Sequence, residues 1–255
     1  MDAGSLSGAQ VATRVDRRAA IGPQVYDLLR AAILDLTLEP GQAVSVKGLA
    51  EQWNVSRTPV RDALIRLARE SLVVVYAQSG TFVSRIDLDD VEEARFARST
   101  LECAAIEDAT DASAADVADL RRNIARQRAL DPARGSSWGA MYELDADLHR
   151  KLIAISGHYL IWDLVRVPLA HMERVRRLLV SSASRVDEVA DSPRIVDMAQ
   201  IVDEHERIVE AVARRDPAAA SRAMADHLSH VRDVGTRLAA RLPEYFETSV
   251  LREAP

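Results

Sequence analysis

Cysteine is nearly missing from this chain: Cys103 is the only one among 255 residues. An intramolecular disulfide is therefore excluded, and the chain fits a reducing compartment. Cys103 itself reads as a helix core residue. Aromatic residues are also scarce, at 4%. No uninterrupted apolar run is long enough to span a bilayer. The opening stretch MDAGSLSGAQVATRVDRRAA lacks the apolar segment of a secretory signal. The expected location is cytoplasmic, with no membrane partner. An overall excess of positive charge is missing too, since the net charge is −6.

Apolar residues make up 48% of the chain, enough to bury the core of one large domain or two modest ones. Alanine, leucine, valine and arginine dominate, which favours helices. Charge is unevenly spread. Residues 1–85 carry 10 Lys/Arg against 8 Asp/Glu, a balance of +2, whereas residues 86–255 carry 23 against 31, a balance of −8. A DNA-binding head needs to be basic only on its docking face, and an acidic body would be held off the duplex.

Residues 49–67, LAEQWNVSRTPVRDALIRL, read as two short helices joined by a tight turn. Ahead of them, residues 25–34 form an apolar-patterned helix whose start is marked by Gly22-Pro23, and Pro40-Gly41 makes a turn. Ser45 is placed to cap a helix from Val46 that turns Leu49, Ala50 and Trp53 inward. Asn54-Val55 makes the next turn. Ser56 is an N-cap candidate, because its hydroxyl can accept an unpaired amide hydrogen of the following turn. Pro59 is tolerated in that turn, where a missing N–H has no helical partner. Val60, Leu64 and Leu67 supply the buried stripe. This leaves Arg57 and Arg61 on an exposed side near the helix N-terminus. Their donor forks match guanine edges or phosphate oxygens. The alternative is two arginines on a solvated face. After Ser71, the β-branched and aromatic runs at residues 72–76 and 81–83 flank AQSG, which is a hairpin signal. Three helices followed by a hairpin make a winged helix-turn-helix.

The stretches LLRAAILDLTLEPG, LAEQWNVSRTPVRDALIRLARESLV and SGTFV closely resemble the head of GntR-family bacterial transcription regulators, over nearly all of residues 21–85. The resemblance implies that Lys47, Ser56, Arg57 and Arg61 lie at or near DNA, with Gln78 at the wing tip. Two departures stand out. Ser71 occupies a position where glycine is usual, and the wing tip lacks the arginine often found just before its glycine. Arg14, Arg17 and Arg18 in the N-terminal arm, residues 1–20, could also touch phosphates or simply be solvated.

Residues 86–88 read as a hinge. Six helices are expected beyond it, at residues 89–110, 114–130, 136–156, 159–180, 193–213 and 216–241, with a tail at 242–255. The breaks fall at Asp111-Ala112-Ser113, Asp131-Pro132, Gly157, Asp191-Ser192-Pro193 and Asp216-Pro217. Pro193 and Pro217 suit helix starts, while Pro168 predicts a kink. The whole is a mainly α chain: a winged head and an all-helical bundle. Within it, Asp145 and His149 are spaced i,i+4, which stacks them on one helical face. Carboxylate oxygen and imidazole nitrogen suit zinc and related divalent ions. His205 and His227 lie on the last two helices, which could fold back beside the third. The alternative is a surface pair or a satisfied core histidine.

The segments RSTLECAAIEDA, LDADLHRKLIAISGHYLIWDL, DEHERIVEAVARRD and AMADHLSHV resemble the all-helical FCD effector domain. That resemblance implies a metal centre of one aspartate and three histidines, matched by Asp145, His149, His205 and His227. It also implies an arginine ahead of a Leu-Glu pair, here Arg98 ahead of Leu101-Glu102, at an effector carboxylate or in a structural salt bridge. His158 departs from the usual asparagine and reads as a helix-start feature. His171 and His230 have no firm assignment. The expected function is a DNA-binding transcription regulator and repressor, not an enzyme. It is expected to act as a homodimer on double-stranded DNA with a pseudo-palindromic operator, controlled by a small carboxylate effector bound near a divalent metal, with Zn2+ first and Ni2+, Co2+ or Mn2+ as alternatives. Two rival readings stay open. One is a DNA-binding protein whose metal is purely structural. The other is a metal-dependent hydrolase fused to a DNA-binding domain, with Glu204 or Glu206 as base.

Overall fold

The computed structural model describes residues 15–131, 134–186 and 197–247. The chain divides into two compact units. One is built from residues up to Asp87 together with those from Leu242 onward, the other from Leu88–Arg241.

In the first unit, α1 (Ile21–Leu34), α2 (Val46–Trp53) and α3 (Arg57–Arg69) surround a core of Val25, Leu29, Ile33, Leu49, Trp53, Val60, Leu64 and Leu67. Full burial of each aliphatic side chain contributes ~1.5–3 kcal/mol. Helix α1 starts four residues earlier than its apolar pattern indicates, so Pro23 falls within the first turn, where no N–H is needed. The two ends of this bundle are tied by Glu70. It accepts from the Tyr26 hydroxyl and from Arg30 Nε at 3.3 Å, while the Arg66 guanidinium lies 3.6 Å from the centre of the Tyr26 ring.

The two helix starts around the turn differ. Ser45 accepts the Gly48 N–H at 3.1 Å, as expected. Ser56 occupies the N-cap of α3 with extended backbone, but its side chain makes no capping bond. Pro59 stands third in the helix and has no N–H to offer, so the capping bond expected of Ser56 is corrected: Ser56 holds the N-cap position without it. Asn54 closes α2 in the left-handed conformation, φ +52°.

The wing is a hairpin of β2 (Val73–Tyr76) and β3 (Gly80–Val83), pairing Val73 with Val83 and Tyr76 with Gly80. A two-residue strand, β1 (Ala43–Val44), adds to β3 on its other side, giving the order β1-β3-β2. It was absent from the expected elements because two residues carry no periodicity. Ser71 and Gln78 both have positive φ, at +56° and +67°. That conformation at position 71 explains why glycine suits it.

The second unit is a bundle of α4 (Leu88–Asp108), α5 (Ala114–Arg128), α6 (Gly135–Ile155), α7 (Leu160–Val186), α8 (Met198–Ala213) and α9 (Pro217–Arg241). A capping box of Ser113 and Asp116 opens α5, and Asp197 caps α8 by accepting from the Ala199 N–H at 3.0 Å. The helix read from residue 193 therefore begins at Met198, and Pro193, like Pro132, lies outside the described residues. Helix α7 runs unbroken through Pro168. Leu120, Leu148, Leu152, Ile208, Met224 and Leu228 lie in the core that α5, α6, α8 and α9 share. No described helix is long and apolar enough to cross a membrane.

Candidate functional sites

The first site is the exposed start of α3. Arg57 and Arg61, one turn apart, are both exposed, as are Ser56, Lys47 on α2 and Gln78 at the wing tip. Lys47 lies 3.9 Å from Glu51, a solvated i,i+4 pair that leaves it available. Ser56 is exposed at the N-terminus of α3 and makes no capping bond, and a helix N-terminus favours phosphate. Arg17 of the arm, open to either a phosphate contact or solvation on sequence alone, makes a contact within the head. Its Nη2 donates to the Asn54 carbonyl at 2.9 Å, holding the arm on the turn between the two helices. Arg14 lies outside the described residues.

The second site is buried in the bundle. The i,i+4 spacing on α6 brings Asp145 and His149 to one face, and α8 and α9 supply His205 and His227. Asp145 Oδ1 stands 3.2 Å from His205 Nε2, 3.7 Å from His227 Nε2 and 3.8 Å from His149 Nε2. His227 Nε2 is 3.3 Å from both other Nε2 atoms. All four residues are buried. The expected set is brought together in full.

Each histidine is oriented from behind. His149 Nδ1–H donates to Glu102, whose other oxygen accepts from Arg98 Nε. His205 Nδ1 meets Gln127 Oε1 at 2.7 Å, and His227 Nδ1 meets Glu204 Oε2 at 3.1 Å. The Gln127 orientation follows from a fixed acceptor. The Leu144 backbone carbonyl takes a hydrogen from Asn123 Nδ2 at 3.1 Å, which leaves Asn123 Oδ1 to accept from Gln127 Nε2 at 2.7 Å. Gln127 Oε1 must then accept, so His205 carries its proton on Nδ1. A neutral ring protonated on Nδ1 presents a lone pair on Nε2. Burial lowers the His205 pKa and drives that of His227 down to about 3, so both rings are held neutral. Burial opposes ionisation of Asp145, but Arg176, 2.7 Å from its Oδ2, and His205 hold its pKa well below the usual carboxylate range. Burial likewise works against Glu102, and the Arg98 charge, with the hydrogen bond from His149, outweighs it, bringing its pKa down to about 2.

This donor set fits a divalent cation. Ligand atoms ~2.1 Å from a shared ion lie roughly 3.0–3.4 Å apart in a tetrahedral or cis arrangement. The separations from Asp145 Oδ1 and His227 Nε2 are 3.2–3.8 Å, and all four ligand atoms lie within 4.8 Å of one another, so binding an ion draws the set together. Imidazole rings whose other nitrogen donates to a carboxylate or amide oxygen are the usual partners of such an ion.

The sequence reading missed the backing residues Asn123, Gln127 and Arg176. It also saw Glu204 only as a potential base. In the structure Glu204 accepts from His227 and lies 3.1 Å from His230, while Glu206 is exposed and pairs with Arg128. Glu206 is thus on the surface, and Glu204 stands on a cavity wall, engaged by two histidines. His158 is 2.7 Å from Asp108 on the surface, and His171 is buried 4.0 Å from Asp90.

A cavity of ≈310 Å³ reaches the centre at Asp145 and His227. Its walls include Trp138, Met141 and Val231, with Arg176 and Arg237 as cations. Arg98 is not on that wall. It is buried, bonded to Glu102, and its Nη1 has no hydrogen-bond partner among the described residues. Of the two alternatives for Arg98, it forms the structural salt bridge, with Glu102, and through Glu102 it reaches the centre.

Residues 22–83 match the gntR family of bacterial regulatory proteins, and residues 93–230 match the FCD domain. An uncharacterized HTH-type transcriptional regulator in an unstable DNA locus of Streptomyces ambofaciens is 37% identical over 94% of this chain and 93% of its own length. The HTH-type transcriptional repressor RspR of Escherichia coli K12 is 29% identical over 87% of this chain and 91% of its own. Among solved structures, E. coli McbR/YncC superimposes with a TM-score of 0.63 at 17% identity, covering 89% of this chain and 99% of that one. A GntR regulator from Rhodococcus sp. RHA1 gives 0.61 at 23% identity, covering 86% and 97%. These two likenesses establish the fold.

Proposed function

The chain belongs to the GntR family, as a DNA-binding transcription regulator with an FCD domain and not an enzyme, and from that premise we propose that it is a repressor governed by a small carboxylate at the buried Asp/His centre. One observation carries the proposal. Three Nε2 atoms and one carboxylate oxygen converge in a buried cluster that opens onto a cavity of mixed lining, where Arg176 and Arg237 stand with Trp138, Met141 and Val231 and with the carboxylates of Asp197, Glu204 and Asp233.

Asp145, His149, His205 and His227 would hold a divalent cation, zinc being the first candidate for a mixed nitrogen and oxygen set. When bound, that ion supplies a positive anchor for an effector carboxylate. The chain's own residues do the rest. Glu102, Gln127 and Glu204 fix the three rings, Arg176 holds Asp145 ionised, and the cavity walls exclude water around the effector's apolar part. FCD domains often bind a metal, which supports the reading.

GntR regulators bind DNA and typically dimerise. Two heads would read half-sites of a pseudo-palindrome through Arg57 and Arg61 in successive major-groove faces, with Lys47, Ser56 and Gln78 at the backbone. The similarity to RspR, a transcriptional repressor, supports the repressor assignment. Effector binding would shift the population between DNA-compatible and incompatible dimers. The test is an anisotropy titration of DNA from upstream of the chain's own gene, with zinc-loaded and chelated protein, across a panel of small carboxylates. An operator affinity that no acid alters would leave the centre a purely structural one.

A further inference from the structure

The segment after α9 is part of the head. Tyr245 and Phe246 are buried, and Phe246 forms a parallel bridge with Ile86. The Ile86 N–H donates to the Tyr245 carbonyl at 2.8 Å, and the Glu247 N–H donates to the Ile86 carbonyl at 3.0 Å. Residues 242–247 therefore form a strap that is hydrogen-bonded, not a loose end. It is anchored at Ile86, a fully covered residue two positions ahead of the first residue of α4.

The strap follows directly on α9, and α9 takes part in the buried site. It supplies His227, and it lines the cavity with His230, Val231, Val234 and Arg237. These positions recur at helical spacing along one face over about 15 Å of helix. The same helix presses on the start of α4. A Cβ placed on Gly235 would stand 2.9 Å from Leu88 Cδ2, so glycine lets the Leu88 side chain lie against the helix backbone without shifting. Thus α9 bears on Leu88 within the second unit, while its extension grips Ile86 within the first. Asp87 is the single residue between them. A chain joined to its head only through residues 86–88 would let a change in α9 dissipate there. Here the polypeptide crosses a second time, at Arg241 and Leu242.

We propose that α9 and its strap are a tether that reports occupancy of the Asp/His centre to the DNA-binding head. This rests on the metal reading above. A helix that carries a ligand near its middle and runs on through Leu242 into a segment hydrogen-bonded within the head is a continuous covalent connection between the two sites.

Hydrogen exchange of the full-length protein tests the proposal, using zinc alone as the probe. In the parent chain, zinc slows exchange in α6, α8 and α9, and it also slows the Ile86 and Glu247 amides by about fivefold or more, the usual floor of intersite coupling. A flexible Gly-Ser insertion between Arg241 and Leu242 leaves the strap docked but slack. It keeps the zinc response of the bundle and loses that of Ile86 and Glu247. Phe246→Ala loosens the docking itself and loses the same head response. A head response that survives in either variant overturns the tether. So does a parent whose bundle responds to zinc while its head does not, and that result leaves the metal centre standing. A bundle with no zinc response defeats the metal centre and the tether together.

Discussion

Gln127 Oε1 accepts the Nδ1–H of His205 at 2.7 Å because the other half of the Gln127 amide is committed to Asn123. The chain of orientation starts at the Leu144 carbonyl, on the helix that carries Asp145 and His149. A backbone group thus fixes which nitrogen of a histidine on α8 is left with a lone pair. Replacing Gln127 with leucine removes the acceptor and frees the ring to change tautomer. Zinc affinity should fall by about 10- to 100-fold, measured by competition with a chromophoric chelator. An unchanged affinity would show that His205 does not depend on this bond.

The ligands themselves should rank above their neighbours. His149→Ala and His205→Ala should lower bound zinc per chain far more than His230→Ala, because His230 is half exposed and faces Glu204 from the outside. Elemental analysis after controlled loading reads the ranking directly. Equal zinc in the parent and in a variant with all four ligands changed to alanine would remove the centre.

Arg57→Ala and Arg61→Ala should weaken operator binding and leave the oligomeric state intact. Loss of a bidentate base contact costs about 1–3 kcal/mol in discrimination. Titrations against operator and scrambled DNA separate loss of reading from loss of general affinity. Parental specificity in both variants would move the recognition surface elsewhere.

Much of this was legible before any coordinates. The apolar periods place three head helices and six body helices, and the i,i+4 pair of Asp145 and His149 places half of the centre. The backing residues were not legible. Glu102 stands 47 positions from His149, and Gln127 stands 78 from His205, so no local spacing connects them. Ser56 misled for a chemical reason: it has the composition of a cap, but Pro59 removes the hydrogen that the cap would accept. Strand β1 and the strap at residues 242–247 are too short to show a period, and each exists only by pairing with distant backbone.

Ser71 carries φ +56° at the entry to the wing. A side chain in that region costs ~1–2 kcal/mol relative to glycine, partly offset by glycine's greater loss of backbone freedom. Ser71→Gly should therefore raise stability by up to about 1 kcal/mol, seen as a higher urea midpoint with unchanged slope. A lower midpoint would mean that the serine hydroxyl contributes more than the backbone loses.

The final expectation separates two roles for Arg98. If its unpartnered Nη1 met the effector directly, Arg98→Ala would weaken acid binding whatever the zinc concentration, by the ~1.5–3 kcal/mol of a charged hydrogen bond. The geometry favours the other role. Arg98 is held on Glu102, Glu102 holds His149, and Arg98 is absent from the cavity wall. Its loss should then appear as weaker zinc binding, and acid affinity should return when zinc is saturating. Calorimetry with a panel of small carboxylates on the parent, Arg98→Ala and His149→Ala, each at limiting and saturating zinc, distinguishes the two. His149→Ala should bind no acid at either level. An acid that binds all three proteins equally lies outside this cavity. An acid that needs the intact centre but leaves operator affinity unchanged keeps the cavity and removes the regulation. The sign expected for a repressor is release, so operator affinity should fall as the acid binds.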